Sequence, residues 1–158
     1  MKYILIIGSK DSGKSTSLNA ICKELKPSRI FVLRKGSEPE FAFFEEVDKS
    51  EVIYNGTYII EVKETLILIM AGSPTEQDVK VTTIFEICNR LQMTINFALI
   101  AMRSFEKRAG YDTKKELELL GKTVLVEKIY RINDSEFDKT NIWKSRIDKI
   151  IKFINENI

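Results

Sequence analysis

Gly8, Ser9, Lys10, Asp11, Ser12, Gly13, Lys14 and Ser15 follow one another in the spacing G-x-x-x-x-G-K-[ST], which suits the holding of phosphate groups. The physical reasons are separable. Gly8 and Gly13 carry no Cβ, so the chain there can bend around an anion and bring its backbone close. Successive N–H groups from about Asp11 to Thr16 can then point inward at phosphate oxygens. A helix starting near Lys14 would add the positive end of its dipole. Lys14 supplies a mobile ammonium, and Ser15 a hydroxyl able to ligate a hard cation such as Mg²⁺. Thr16 can donate from its backbone. Lys10 and Asp11 stand at variable positions of the pattern and contribute backbone alone.

Such a loop works only if a rigid strand and helix hold its two ends, and the flanking residues read that way. Tyr3 to Ile7 is a continuous apolar run, expected of a parallel strand buried on both faces. Leu18, Ile21, Cys22 and Leu25 mark the apolar face of a helix that Pro27 follows. Further strands are expected at Ile30 to Leu33, Thr65 to Ala71, Ile95 to Met102 and Thr123 to Ile129. Asn55-Gly56, between Val52-Ile53-Tyr54 and Thr57-Tyr58-Ile59, predicts an antiparallel hairpin. Phe41, Phe44, Glu45 and Val47 could share a face of a short helix. Ser73, Pro74 and Glu76 form the start of a helix reaching about Leu91, with Ser73 and Glu76 as a capping box. Thr113 to Glu116 reads as a second capping box, for a short helix ended by Gly121. Ile142 to Ile158 is a last amphipathic helix, with Trp143, Ile147, Ile150, Ile151 and Ile154 on one face. Alternating buried strands and amphipathic helices predict a three-layer α/β fold: a mostly parallel sheet flanked by helices, with an antiparallel hairpin added.

The loop, with its strand and helix, resembles the P-loop NTPases over about 25 residues. The resemblance implies a P-loop fold and a bound nucleoside triphosphate, ATP or GTP, with Mg²⁺. It places Lys14 against the β- and γ-phosphates, Ser15 on the metal and Thr16 toward the α-phosphate. Gly13-Lys14-Ser15-Thr16 with Leu18-Asn19-Ala20-Ile21 also resembles small GTPases, with Ala71-Gly72 where those proteins carry Asp-x-x-Gly and Ile69 in place of the acid. Their guanine-reading Asn-Lys-x-Asp is replaced by Ala101-Met102-Arg103-Ser104, which favours ATP over GTP. Arg34-Lys35-Gly36, Ile69 to Pro74, and the cluster Arg103, Lys107 and Arg108 resemble parts of nucleoside and nucleotide kinases. Arg34 and Arg103 end apolar strands, where an open α/β sheet faces its ligand, and arginine suits bidentate phosphate contacts.

No apolar strand ends in Asp or Glu, although P-loop enzymes usually place an acid there to order the metal. The nearest substitutes are Glu76 and Asp78. Glu76 is engaged in its capping box, so Asp78 is the expected catalytic acid beside Lys14, Arg34 and Arg103. Two functional classes follow. One is Mg²⁺-dependent hydrolysis, or phosphoryl transfer to a small acceptor. The other is a nucleotide-binding switch with little turnover, read by a protein partner.

Composition excludes other chemistry. There is no histidine, which removes Ser-His and Cys-His nucleophile pairs and, with only Cys22 and Cys88, the usual zinc sites. Both cysteines fall on apolar helix faces and are expected in the core. Lys and Arg number 25 against 23 Asp and Glu, a net charge of +2, which argues against a dedicated nucleic-acid binder. With 44% hydrophobic residues over 158, one domain spanning residues 1–158 is expected. No signal-like or membrane-spanning run is present, so a cytoplasmic protein without membrane contact is expected.

Overall fold

The apolar runs become strands of one sheet because burial on both faces leaves only neighbouring backbones to satisfy their N–H and C=O groups. A computed structural model describes residues 1–36, 42–50 and 55–158. Among these the chain forms β1 (Lys2–Gly8), α1 (Lys14–Glu24), β2 (Arg29–Arg34), β3 (Phe43–Val47), β4 (Thr57–Val62), β5 (Thr65–Met70), α2 (Pro74–Gln77), α3 (Val81–Arg90), β6 (Phe97–Arg103), α4 (Thr113–Leu120), β7 (Lys122–Lys128) and α5 (Asn141–Asn155). The sheet runs β3-β2-β4-β5-β6-β1-β7. β1 lies between β6 and β7, parallel to both, and β5 is parallel to β6. β4 pairs antiparallel with both β5 and β2, and β3 antiparallel with β2. The result is a mixed α/β sheet with a parallel core.

Alternation along β1 assigns the helices to faces. Ile4 and Ile6 pack with α1 and α5, through Leu18, Ile21, Trp143, Ile147, Ile150 and Ile154. Tyr3, Leu5 and Ile7 pack on the other face with α3 and α4, through Ile84, Phe85, Cys88 and Leu117. Cys22 and Cys88 are buried thiols, as expected; burial pushes them up to about 11 and about 12, which keeps them protonated and inert near neutral pH.

Several local expectations are corrected. The antiparallel hairpin is β4–β5, and its turn is Lys63-Glu64, both with positive φ (49° and 61°). That backbone matches the twist of a two-residue hairpin as Asn-Gly would. Asn55-Gly56 forms a bend, and β4 already pairs on both sides, with β2 and β5; Val52, Ile53 and Tyr54 lie outside the described residues. Phe44, Glu45 and Val47 belong to strand β3 rather than a helix, because the edge of β2 offers them a ladder; Phe41 lies outside the described residues.

The helix expected from Ser73 to Leu91 is two helices. Asp78 takes a left-handed conformation (φ 54°), and Val79 N–H closes back on Pro74 O at 3.1 Å, ending α2 after one turn. α4 is capped by Asp112, whose Oδ1 accepts from Lys115 N–H at 3.1 Å, not by Thr113. Thr113 instead donates its N–H and hydroxyl to Glu106, and Glu116 reaches across to accept from Thr82 N–H and Oγ1 (both 3.1 Å). One orphan amide at the start of α3, that of Thr82, is thus met by a side chain from another helix.

Candidate functional site

β1 ends at Gly8, and α1 opens at Gly13, which serves as N-cap in a left-handed conformation (φ 90°) that favours glycine. Asp11 also has positive φ (58°), so the loop between them curls tightly. A Cβ on Gly8 would lie 2.2 Å from Ser12 Oγ and 2.9 Å from Ile129 O, so glycine there is demanded by contact. Ser12 Oγ is buried and, among the described residues, is the one buried side-chain polar atom without a hydrogen-bond partner. Such an orphan costs free energy unless something else meets it.

Lys14 folds back over the loop. Its Nζ donates to Gly8 O at 3.1 Å and to Ser9 O at 2.7 Å, and only 6% of the residue is exposed. Burial pulls its pKa below the ordinary lysine value; Glu76 and Asp11 oppose that shift, and Arg103 adds to it. Ser15 Oγ donates to Ala71 O at 2.8 Å, tying the first turn of α1 to the end of β5, two strands away. The loop from Lys10 to Thr16 lines a cleft of about 570 Å³, closed opposite by Asn55, Glu76 and Gln77.

The structure separates the four catalytic candidates of the sequence. Lys14 is in the loop. Arg103 lies opposite Gly8 in the β1–β6 register and puts Nε (3.1 Å) and Nη2 (2.7 Å) on Glu76 Oε1. Asp78 and Arg34 are not brought to the loop. Asp78 pairs with Arg108 Nη2 at 2.7 Å and accepts from Tyr111 OH at 2.9 Å, because its left-handed backbone turns it toward the segment after β6. Arg34 pairs with Glu45 on neighbouring β3 at 2.7 Å. β2 is four strands from β1, roughly 19 Å at the usual spacing. Its neighbour Lys35 comes closer to the cleft, donating to Gln77 O at 3.2 Å.

The acid that faces the loop is therefore Glu76. Partial burial disfavours its charge, but Arg103, the Ser73 N–H (3.0 Å) and the Ser73 hydroxyl (2.9 Å) outweigh that and hold its pKa down at about 2. The cap does not withdraw Glu76 from the cleft, because Oε2 serves Ser73 while Oε1 is left to Arg103. Sequence reasoning also passed over Arg146. It is buried on α5, with Nη2 donating to Tyr130 O at 2.9 Å and Nη1 to Ser17 Oγ at 3.4 Å, and Nη1 lies 3.6 Å from a Cβ built on Gly13. Its signal was present: position 146 interrupts the apolar stripe of Trp143, Ile147 and Ile150 with a charge.

Among the described residues no three His, Cys, Asp or Glu side chains gather to hold a metal, and no helix is long and apolar enough to cross a membrane. Compared with protein-family models, with curated proteins and with solved structures, the chain matches none of them.

Proposed function

We propose that this chain binds a nucleoside triphosphate with Mg²⁺ through the loop from Gly8 to Thr16, as a P-loop NTPase does, and turns it over slowly by hydrolysis or transfer to a small acceptor. The observation that carries the reading is the loop's preparation for an anion. A left-handed glycine opens a helix N-terminus, a buried lysine lies over it, and a buried hydroxyl on Ser12 has no partner. Burial disfavours the Lys14 ammonium and the Ser12 hydroxyl has no partner in the chain alone; phosphate oxygens would answer both.

The residues fit the implied cofactors. Ser15 directs its hydroxyl proton at Ala71 O, which leaves oxygen lone pairs for a cation. Mg²⁺ there would draw its remaining ligands from phosphate oxygens and water, in keeping with its habits, and would neutralise charge on the terminal phosphates. Lys14 and the loop amides would bind and orient the phosphate chain and stabilise charge on the transferred group. Glu76, ionised at any physiological pH, would orient water on the cation side, and Arg103 would meet the terminal phosphate. These assignments replace Asp78 and Arg34.

A second reading, a binding switch with little turnover, draws on one further observation. The acid and the arginine that would serve catalysis are paired with each other, and Glu76 also caps α2. Calorimetric titration with ATP and GTP, with and without Mg²⁺, beside phosphate release at saturating nucleotide, tests both readings. The expected result is one-to-one, Mg²⁺-strengthened binding and turnover below about 1 s⁻¹, the slow end for kinases. Absence of binding to either nucleotide would overturn both readings.

A further inference from the structure

Beside the phosphate cleft lies a second cavity, of about 380 Å³, that shares Asp11, Ser12, Gly13 and Thr16 with it. Lys14, Ser15 and Glu76 line the first cleft alone. That difference gives a bound phosphate chain a direction. With its terminal phosphate at Lys14 and Ser15, its other end reaches Thr16, and the next group along the molecule enters the second cavity. The remaining wall joins a partly buried Phe137 and the buried Trp143 to polar groups. Phe137 and Trp143 stand edge to face there, with ring centroids 5.0 Å apart. Arg146 lies with Cζ 5.8 Å from the Trp143 ring centre. Arg131 and Asp134 add a cation and an acceptor at the rim. Aromatic and guanidinium surfaces take nucleobases readily, since every base offers a π face.

We infer that the second cavity is the nucleoside pocket: the base and ribose of the triphosphate lie between Thr16 and the Phe137–Trp143 wall. The inference rests on the proposed phosphate site and adds to it which part of the molecule Phe137, Trp143, Arg131 and Asp134 recognise. It also explains why α5 places Arg146 behind Gly13. One buried cation there braces the loop through Ser17 and borders the pocket.

Trp143 is the chain's single tryptophan, so its fluorescence reports on this wall directly. Inorganic tripolyphosphate and the four common ribonucleoside triphosphates are titrated with Mg²⁺, following heat and Trp143 emission together. The expected result is that tripolyphosphate binds without changing the emission, whereas at least one nucleotide binds more tightly and changes it. Phe137→Ala should then weaken that nucleotide about tenfold, within the range of a lost base-stacking contact, and leave tripolyphosphate unaffected. Retained tripolyphosphate affinity reports that the loop is folded, and Phe137→Leu replaces the alanine variant if that one fails to fold. Nucleotides that match tripolyphosphate in both affinity and emission would overturn the pocket and leave the phosphate site standing. So would a Phe137 variant that weakens both ligands equally. If neither tripolyphosphate nor any nucleotide binds, the phosphate site itself falls and the pocket with it.

Discussion

Replacing Lys14 by methionine separates the cost of the proposed site from its use. The side chain keeps its apolar stem and loses its ammonium. In the free protein Nζ spends its hydrogen bonds on Gly8 O and Ser9 O. Those carbonyls have other donors, Ser104 N–H at 3.3 Å and Ser12 N–H at 3.4 Å, so removing the lysine orphans neither. It also removes a cation that burial disfavours. Stability should therefore be unchanged or slightly raised, within about 1 kcal/mol. Binding should suffer more. An ammonium on two phosphoryl oxygens makes two charge-assisted bonds of about 1.5–3 kcal/mol each, and the carbonyl contacts given up on binding cancel part of this. A net loss near 3 kcal/mol corresponds to roughly 100-fold weaker nucleotide binding. The pH dependence has a definite sign. The lysine's folded pKa is depressed, so above it the folded state sheds a proton that the unfolded chain retains, and wild-type stability rises toward the ordinary lysine value of 10.5. The methionine variant lacks that rise. Calorimetry with Mg²⁺-ATP and Mg²⁺-GTP, and urea melts near neutral and at alkaline pH, read both effects. Nucleotide affinity within about threefold of wild type, or a stability loss above about 3 kcal/mol, would show that Lys14 is structural and refute the site.

Ser15→Ala should reduce the affinity gained from Mg²⁺ about tenfold while leaving metal-free binding almost unchanged, because the motif offers the ion no other side chain; an unaltered Mg²⁺ dependence in the same titration would place the ion elsewhere. Glu76→Gln should lower phosphate release more than Asp78→Asn, the reverse of the order the capping argument gives, and equal rates would remove Glu76 from the chemistry. Glu76 also contributes to acid stability. Its folded pKa of about 2 lies below the unfolded 4.5, so its contribution is present above 4.5 and fades as pH falls toward 2. Acid melts of Glu76→Gln should lack that part of the slope, a difference of roughly 1–2 kcal/mol once a side chain one-third exposed is discounted for screening.

The parallel core was legible because it is local: β1, β5 and β6 are short apolar runs bounded by turn residues, and they and the more exposed β7 lie within about two residues of their expected bounds. The edge of the sheet was not. Phe44 and Val47 suit a helix face or a strand equally, and only the ladder offered by β2 decides. Asn55-Gly56 carried the stronger turn signal, yet Lys63-Glu64 makes the turn, because the β4–β5 register outweighs the strain of two positive φ angles. At the site, the loop's residues were legible and their partners were not. Choosing Asp78 over Glu76 assumed that a capping carboxylate is used up. A carboxylate has two oxygens, and this one divides them between Ser73 and Arg103. Placing Arg34 beside the loop required knowing that β4, β5 and β6 lie between β2 and β1, and strand order is not written in any segment's pattern.

Strand order also decides how the site would communicate. Because β6 lies between β1 and β5, a phosphate in the loop would be one strand from Arg103 and would be linked to the end of β5 through Ser15 and Ala71. Both routes converge on α2, one through the Arg103–Glu76 pair and the other through the turn that precedes Ser73. The pair is about one-third exposed on each side, and such pairs contribute at most about 1 kcal/mol. A terminal phosphate presenting several oxygens to Arg103 would compete with that, and a cation drawing on Ser15 would polarise its hydroxyl against Ala71 O. Release of Glu76 Oε1 from Arg103 would give the cleft an unpaired carboxylate while Oε2 still anchors α2 through Ser73. The same event would therefore assemble a catalytic acid and alter the load on a one-turn helix at the cleft's edge. If the proposed site holds a triphosphate, turnover and switching would be two consequences of one weak ion pair, and the rate of phosphate release would decide between them.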